Sequence, residues 1–599
     1  MSAPPASEAE KRPVPRNSVL HKRCALAQGV LATAGIAVAF LCLFLPLENP
    51  DIFWHLSAAR EIIAAKALPT ADFLSWSKAG QPWVDFEWLP QLFYYVGWSL
   101  FGYGGLLACK ILLLLPLFYV FYLTARLYTD KTRAFLALPV LAAVLLPSMD
   151  LRPENFSLLF FALLLYWLER ARSAASTPLP RRYLWGGVAL FSLWANCHGG
   201  FVYGLALIGF YCVGELLRVK LPAIYGRKEA EDFSLFRIYA ILFCCAAAGT
   251  LLNGYGPRIY TVLFDHAREL SVIGEHLSEW QAPELGTLAQ APYWALVVFS
   301  GAVLAHRAIT RRDVDFPLLI AWLFFAVVSS QHVRNTSFFA LAALPCLLRL
   351  LALYEKDGHT LPGALFRWVF PLFAVLFLGF SLGGYLRGEP WHHSAGAHGT
   401  VQYLKSETKV LSGLRMYNPW GWGGYLGFEL APEYKVFQDG RYIFHDFLAQ
   451  MQAARVNNAL WADFLERHSF ELVLLERSDT KYLMKVPVGN TGFHLLHFPF
   501  YAFFMTARDW ALVYWDSRGM VFVRRGSVPG KWLEENELDL LKPDNLEALR
   551  AKLGAGMASP ADLDAEAARL EKQLRYQGLN KDADEIRAYT QSALSPSAD

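Results

Sequence analysis

What most constrains this chain is a series of long apolar runs between residue 24 and about residue 386, and their absence from there to residue 599. A helix needs about 20 apolar residues to cross about 30 Å of hydrocarbon. Candidate spans of that kind fall at 24–46, 105–128, 134–149, 155–171, 183–198, 200–218, 235–253, 291–306, 315–331, 336–353 and 367–386. The expectation is a polytopic α-helical membrane protein with about eleven spans. The residues are 55% hydrophobic and 15% aromatic, and a net charge of only +3 leaves no basic footprint for nucleic acid.

Lys and Arg set the orientation. With the N-terminus inside, the cytoplasmic segments are the tail (Lys11, Arg12, Arg16, Lys22, Arg23), Lys131–Arg133, Arg170–Arg182, Arg218–Arg237, Arg307–Arg312 and Lys356–Arg367, and each is basic. The opposite loops carry few cations for their length. This places residues 47–104 and everything after 386 outside the cytoplasm, in a cytoplasmic (inner) membrane. Residues 1–23 read as a disordered cytoplasmic tail. The first apolar run is longer than a signal-peptide core and no cleavage site follows, so it reads as a retained helix. The eight cysteines (Cys24, Cys42, Cys109, Cys197, Cys212, Cys244, Cys245, Cys346) lie in or beside apolar segments and form no C-x-x-C pair.

The division that follows is a tail (1–23), a membrane domain (24–386) with a long first outer loop (47–104), an extracytoplasmic α/β domain (387–526) and a helical tail (527–599). Within the α/β domain, 387–400 reads as a linker, Y-K-V-F-Q-D-G-R as a strand ending in a turn at Asp439-Gly440, 444–467 as helical, and F-E-L-V-L-L-E as a buried strand. A hairpin is expected around Asp516–Gly519. Residues 492–505 (G-F-H-L-L-H-F-P-F-Y-A-F-F-M) read either as a core strand pair or as a lip dipping into the outer leaflet. Ser559-Pro560 and Gly578 bound a helical hairpin, 560–577 with 580–593, similar to one tetratricopeptide-type unit.

The outer loops differ from the inner ones in kind. They hold Asp51, Asp85, Glu87, Asp150, Arg152, Glu154, Asn196, His198, Asn253, Arg258, Glu275, His276, Glu279, His332, Arg334 and Asn335, many at a helix end. Polar groups at membrane depth are costly unless paired or facing a wet cavity. One polar chamber built from several loops accounts for them, with amphipathic helices over 257–285 lying along the same face. Soluble-enzyme signatures are missing: there is no G-x-x-x-x-G-K-[ST], H-E-x-x-H or G-x-S-x-G. Acids beside Arg and His groups suit transfer from a lipid-linked phosphate. A carboxylate can deprotonate an incoming nucleophile or hold a metal, and Arg can grip the phosphate.

Five stretches carry a resemblance: D-I-F-W-H-L from Asp51, G-Q-P-W-V-D-F-E-W-L, L-R-P-E-N-F-S, W-A-N-C-H-G-G-F, and W-G-W-G-G-Y-L with V-F-Q-D-G-R. Together with the layout of 24–526 they resemble the GT-C superfamily of polytopic glycosyltransferases, such as protein mannosyltransferases, aminoarabinose transferases and oligosaccharyltransferases. The resemblance implies a sugar moved from a polyprenyl-phosphate donor to an acceptor on the extracytoplasmic face. It also implies an acid on the first outer loop as catalytic base or metal ligand, with a divalent cation, Mg or Mn, as the cofactor in the latter case. Asp51 is the best-matching position. The adjacent acidic pair common in the superfamily is absent, Phe86 stands where a related pattern has His, and no W-W-D-Y-G occurs.

The expected site is therefore Asp51, Glu87 and Glu154 as catalytic acids, Asp51 also as metal ligand, and His55, Asp85, Arg152, His198, Arg258, His332 and Arg334 as substrate-binding groups. Each has a plainer reading. Asp51 and Asp85 are also helix-cap candidates, and Glu87 suits a helix's first turn. His55 sits one turn after Asp51. Arg152 with Glu154 could be a salt bridge closing a hairpin, His198 a tie within a turn, and Asp439–Arg441 a pair within theirs. Two other functions remain open on the sequence: a transporter or flippase, which usually shows inverted repeats, and a non-catalytic scaffold docking through its helical tail.

Overall fold

The computed structural model describes residues 16–173, 182–220, 232–311, 315–357, 361–385, 397–477, 481–488 and 492–595. The 387–400 linker lies mostly outside them, as do residues 1–15 of the tail. Residues 16–23 are not a coil, because the first helix, α1, runs Arg16–Cys42.

Helices follow the apolar runs: α3 (Trp88–Arg126), α4 (Lys131–Leu145), α5 (Glu154–Ser173), α6 (Arg182–Ala195), α7 (Phe201–Lys220), α8 (Ser234–Thr250), α10 (Ala291–Arg311), α11 (Phe316–Gln331), α12 (Thr336–Lys356) and α13 (Leu361–Tyr385). Two more, α2 (Ile52–Ala65) and α9 (Ile259–His276), belong to the loops on one face. Among the described residues seven helices are long and apolar enough to cross a membrane, and α6, α8 and α11 are shorter apolar helices. The chain is a multi-pass membrane protein. α3 is two helices, and Gly102 (φ 55°) turns the chain back between them: a Cβ on Gly105 would sit 1.8 Å from the Gly97 carbonyl oxygen and Cys109 Sγ lies 3.6 Å from the Phe93 carbonyl oxygen, so the halves pack against each other glycine to glycine.

Charge is also buried at the face opposite α2 and α9. Arg172 pairs with Glu169 (2.8 Å), Glu215 (3.5 Å) and Asp315 (2.8 Å), and Arg349 joins Asp315 at 2.8 Å. Breaking one partner of such a network strands a buried charge, so it locks the ends of α5, α7, α11 and α12 together.

The C-terminal part holds a four-stranded sheet in the order β1 (Met416–Tyr417), β2 (Leu472–Glu476), β6 (Gly519–Arg524), β5 (Trp510–Trp515). β5 and β6 form the hairpin expected around Asp516–Gly519, and β2 is the buried strand. The Y-K-V-F-Q-D-G-R stretch is not a strand. Its ladder is replaced by side chains and a single bridge: Asn418 accepts from the Phe437 N–H (2.8 Å) and donates to the Gln438 carbonyl (2.9 Å), while Trp76 N–H of the first loop donates to the Val436 carbonyl (3.0 Å). β3 (Lys481–Val488) and β4 (Gly492–Pro499) make a separate hairpin. Of the aromatics beyond β4, Tyr501 and Phe504 are buried in the domain core and Phe500 and Phe503 pack against it. A Phe504→Ala protein should therefore lose about 3 kcal/mol of stability, read by thermal unfolding.

The helical tail packs on the same core, which also takes in Leu47 and, from α2, Ile52, Phe53 and Leu56. Its last two helices are Pro560–Tyr576, capped by Ser559, and Asn580–Leu594, separated by Gly578 at φ 78°.

Candidate active site

Asp51 stands at the cap position of α2, but its carboxylate makes no capping bond. It presses on the C-terminal part instead, since a Cβ on Gly440 would lie 2.0 Å from Asp51 Oδ1. Only glycine fits there. Burial pushes the Asp51 carboxyl up to about 6; the Arg152 cation pulls it back, and Glu279 and Asp439 push it further. One turn on, His55 is buried against Trp54 (3.6 Å between ring centres) and Tyr94 (6.1 Å). Burial drives its imidazole down to about 3, with His198 and Arg152 adding to the effect, so it is neutral.

Two arginines from different loops meet over one carboxylate. Arg152 Nη1 is paired with Glu279, and Arg334 reaches Glu279 (3.4 Å) and Glu154 (3.3 Å). Arg334 also lies over the Trp280 ring, 4.5 Å from its centre. Burial alone would raise Glu279, yet Arg334 and Arg152 hold it below the usual carboxylate range. The Arg152–Glu154 bridge read from the sequence is not made. Arg152 N–H donates to Asn155 Oδ1 (2.8 Å) as α5 begins, and its guanidinium turns to Glu279. Arg152 Nε and Glu154 Oε1 are buried without a protein partner.

Glu87 and His198 close the cluster, with His198 Nε2 3.9 Å from Glu87 Oε1. His198 Nδ1 accepts from the Gly200 N–H (3.1 Å) and lies 2.8 Å from Ser157 Oγ. That leaves the Nε2 proton facing Glu87, and burial, with Arg334 and His266 nearby, drives the imidazole down to about 3. Burial pushes Glu87 up to about 8. Asp85, Asp51 and Glu154 add to the rise and Arg334 opposes it.

The remaining expected residues make their contacts at the edge of the cluster or outside it. Asp85 does not cap α3: Glu87 takes the cap position, and Asp85, 2% exposed, accepts from Gln91 Nε2 (2.6 Å) while its charge acts on Glu87. Arg258 is exposed in the turn Gly256–Arg258 ahead of α9, outside the cluster. His332 Nδ1 donates to the Trp280 carbonyl (2.6 Å), pinning the loop that carries Glu279.

The sequence reads Asp439 and Arg441 as a pair within a turn, and they are one, but it gives no sign of the third partner, Asp72. Arg441 is fully buried, bidentate on Asp439 (Nε–Oδ1 and Nη2–Oδ2 both 2.8 Å), and it also grips Asp72 of the first loop at 2.7 Å. Its guanidinium lies over Trp83, 4.7 Å from the ring centre. This clamp ties the first loop to the D-G-R turn and sets Gly440 against Asp51. Gly440→Ala should cut any Asp51-dependent turnover by about 100-fold, with the protein still folded by thermal unfolding.

A divalent cation at Asp51 was expected from the resemblance. Among the described residues no group of three or more His, Cys, Asp or Glu could hold a metal ion. The strongest charge acting on Asp51 is the Arg152 cation, not a second ligand. This donor set does not fit a protein-built oxygen cage.

No protein-family model and no curated protein matches the sequence. Among solved structures, the chain is similar to the oligosaccharyltransferase AglB from Archaeoglobus fulgidus in complex with an inhibitory peptide and a dolichol-phosphate. The two are 13% identical with a TM-score of 0.49, over 88% of this chain and 82% of that one. It is also similar to ArnT from Cupriavidus metallidurans. The apo structure is 15% identical (TM-score 0.45, 84% and 99% covered), and the structure bound to undecaprenyl phosphate 13% identical (TM-score 0.41, 84% and 98% covered).

Proposed function

We propose that this protein is a membrane glycosyltransferase that moves a sugar from a polyprenyl-phosphate donor to an acceptor on the extracytoplasmic face of the membrane. The observation that carries the reading is the pair of guanidiniums, Arg152 and Arg334, converging on Glu279 beside the raised carboxyl of Asp51. The two cations make an anion site that Glu279 fills in the resting protein, and the donor phosphate takes its place. Asp51 is the general base. It accepts the proton of the acceptor nucleophile as that atom bonds to the anomeric carbon. The bond from that carbon to the phosphate oxygen breaks, its electron pair leaves with the phosphate, and Arg152 and Arg334 take up the added charge. Neutral His198 and protonated Glu87 surround the phosphate without adding negative charge.

Turnover should follow a bell in pH. Asp51 must be ionised, so activity falls as pH drops through about 6; Glu87 must stay neutral, so it falls again as pH rises through about 8. Glu87→Gln should abolish the upper limb and keep the lower. The reading itself is tested by lipid extracts of a strain lacking the gene. One polyprenyl-phosphate sugar accumulates if it holds; an unchanged lipid profile together with an unchanged envelope glycan would overturn it.

A further inference from the structure

Between α1 and α2 the chain runs Leu45-Pro46-Leu47-Glu48-Asn49-Pro50-Asp51. The prolines have no N–H, and every other amide in the stretch is held. Leu45 donates to the Cys42 carbonyl (3.2 Å) and Leu47 to the Tyr103 hydroxyl (2.9 Å). Glu48 and Asn49 both donate to Asp150 Oδ2 (2.9 and 2.6 Å), and Asp51 donates to Asn49 Oδ1 (3.1 Å). Lys110 Nζ then donates to the Leu45 carbonyl (2.8 Å).

Lys110 is 1% exposed on an apolar helix, about two turns from Tyr103 on the same α3. A buried lysine on a spanning helix is costly and is retained where it serves a defined purpose. A connection that only had to cross from α1 to α2 could leave its amides to water. This one is fixed by four side chains from three segments, and Gly440 blocks the Asp51 carboxylate from the far side.

We propose that Lys110, Tyr103 and Asp150 are positioning residues that act through Asn49 and the backbone of 45–51 to hold the Asp51 carboxylate at the reacting atoms. The proposal rests on the reading of Asp51 as base. A reacting group displaced by about 1 Å loses about 100-fold in rate, whereas the phosphate site, built on Arg152 and Arg334, is left intact. The signature is thus a split between binding and turnover.

The test uses the full chain in detergent or membranes, with Asn49→Ala, Asp150→Asn, Lys110→Met and Lys110→Arg beside Asp51→Asn, each checked by thermal unfolding. Binding is measured with undecaprenyl phosphate as probe, and turnover as clearance of the lipid-linked sugar that the deletion strain accumulates. Asn49→Ala removes a single hydrogen bond. It should bind the probe within about twofold of the wild type and turn over at least about tenfold more slowly. Lys110→Arg should recover most of what Lys110→Met loses. Wild-type turnover by Asn49→Ala and Asp150→Asn, with Asp51→Asn inactive, would overturn the positioning role alone. Equal loss of binding and turnover in Asn49→Ala would overturn it as well, since the contacts would then serve the whole site. If Asp51→Asn is itself active, the base assignment falls and the positioning role with it.

Discussion

Replacing Asp51 by Asn is expected to lower turnover by about a thousandfold while the protein remains folded and still binds polyprenyl phosphate. Asn keeps the size and polarity of the side chain, so the packing against Gly440 survives and only the proton acceptor is lost. The size of the effect follows from what surrounds the carboxylate. Burial and the neighbouring acids raise it to about 6, the range in which a carboxylate is a useful base near neutral pH and still ionised. The neutral imidazoles of His55 and His198 are poorly placed to substitute, because His198 has its Nδ1 committed to Gly200 and Ser157, and His55 is enclosed by Trp54 and Tyr94. Asp51→Glu should recover little, since a longer side chain meets Gly440.

Removing the cations is expected to act on binding instead. Arg152→Gln and Arg334→Gln should each weaken polyprenyl phosphate binding by about 100-fold, because each takes away a positioned cationic donor and leaves Glu279 or Glu154 with one partner fewer. Glu279→Gln should do the opposite. In the resting protein the Glu279 carboxylate holds both guanidiniums, so the phosphate has to displace it. Neutralising that competitor should tighten binding by about tenfold, or about 1.4 kcal/mol. The opposite signs separate an anion site from a purely structural salt-bridge cluster, where loss of any member would only destabilise. Binding of a soluble-chain polyprenyl phosphate by titration calorimetry reads all of these variants.

The apolar helices were legible because hydrocarbon thickness sets a minimum length that the apolar runs show directly; of the eleven spans expected, seven helices among the described residues reach that length and apolarity, and α6, α8 and α11 are shorter. The helical hairpin at the C-terminus was legible from Ser559, Pro560 and Gly578, which act on their own neighbours. The strand read at Y-K-V-F-Q-D-G-R was not correct, because Asn418 and Trp76, distant in sequence, take the backbone groups a strand would have used. Asp85 failed as a cap for a related reason: Gln91 captures its carboxylate.

Within the site, the loops on the face of α2 and α9 announced themselves by residue type, and the structure brings Asp51, His55, Glu87, Arg152, Glu154, His198 and Arg334 to one place while leaving Arg258 exposed and Asp85 bonded to Gln91. The pairings themselves were hidden. Arg152 takes Glu279 in preference to Glu154, two residues away, and Arg441 takes Asp72 across most of the chain. No local pattern encodes such partners. Gly440 carried one hint, a glycine flanked by opposite charges, but its contact with Asp51 exists only once the C-terminal part is seated on the first loop.

The most direct measurement is a structure of the full chain with polyprenyl phosphate bound. The account predicts the phosphate oxygens about 2.7–3.0 Å from guanidinium nitrogens of both Arg152 and Arg334, with the Glu279 carboxylate displaced and Asp51 facing the phosphate-bearing end of the lipid. A phosphate bound elsewhere, with Glu279 still joined to both arginines, would contradict it.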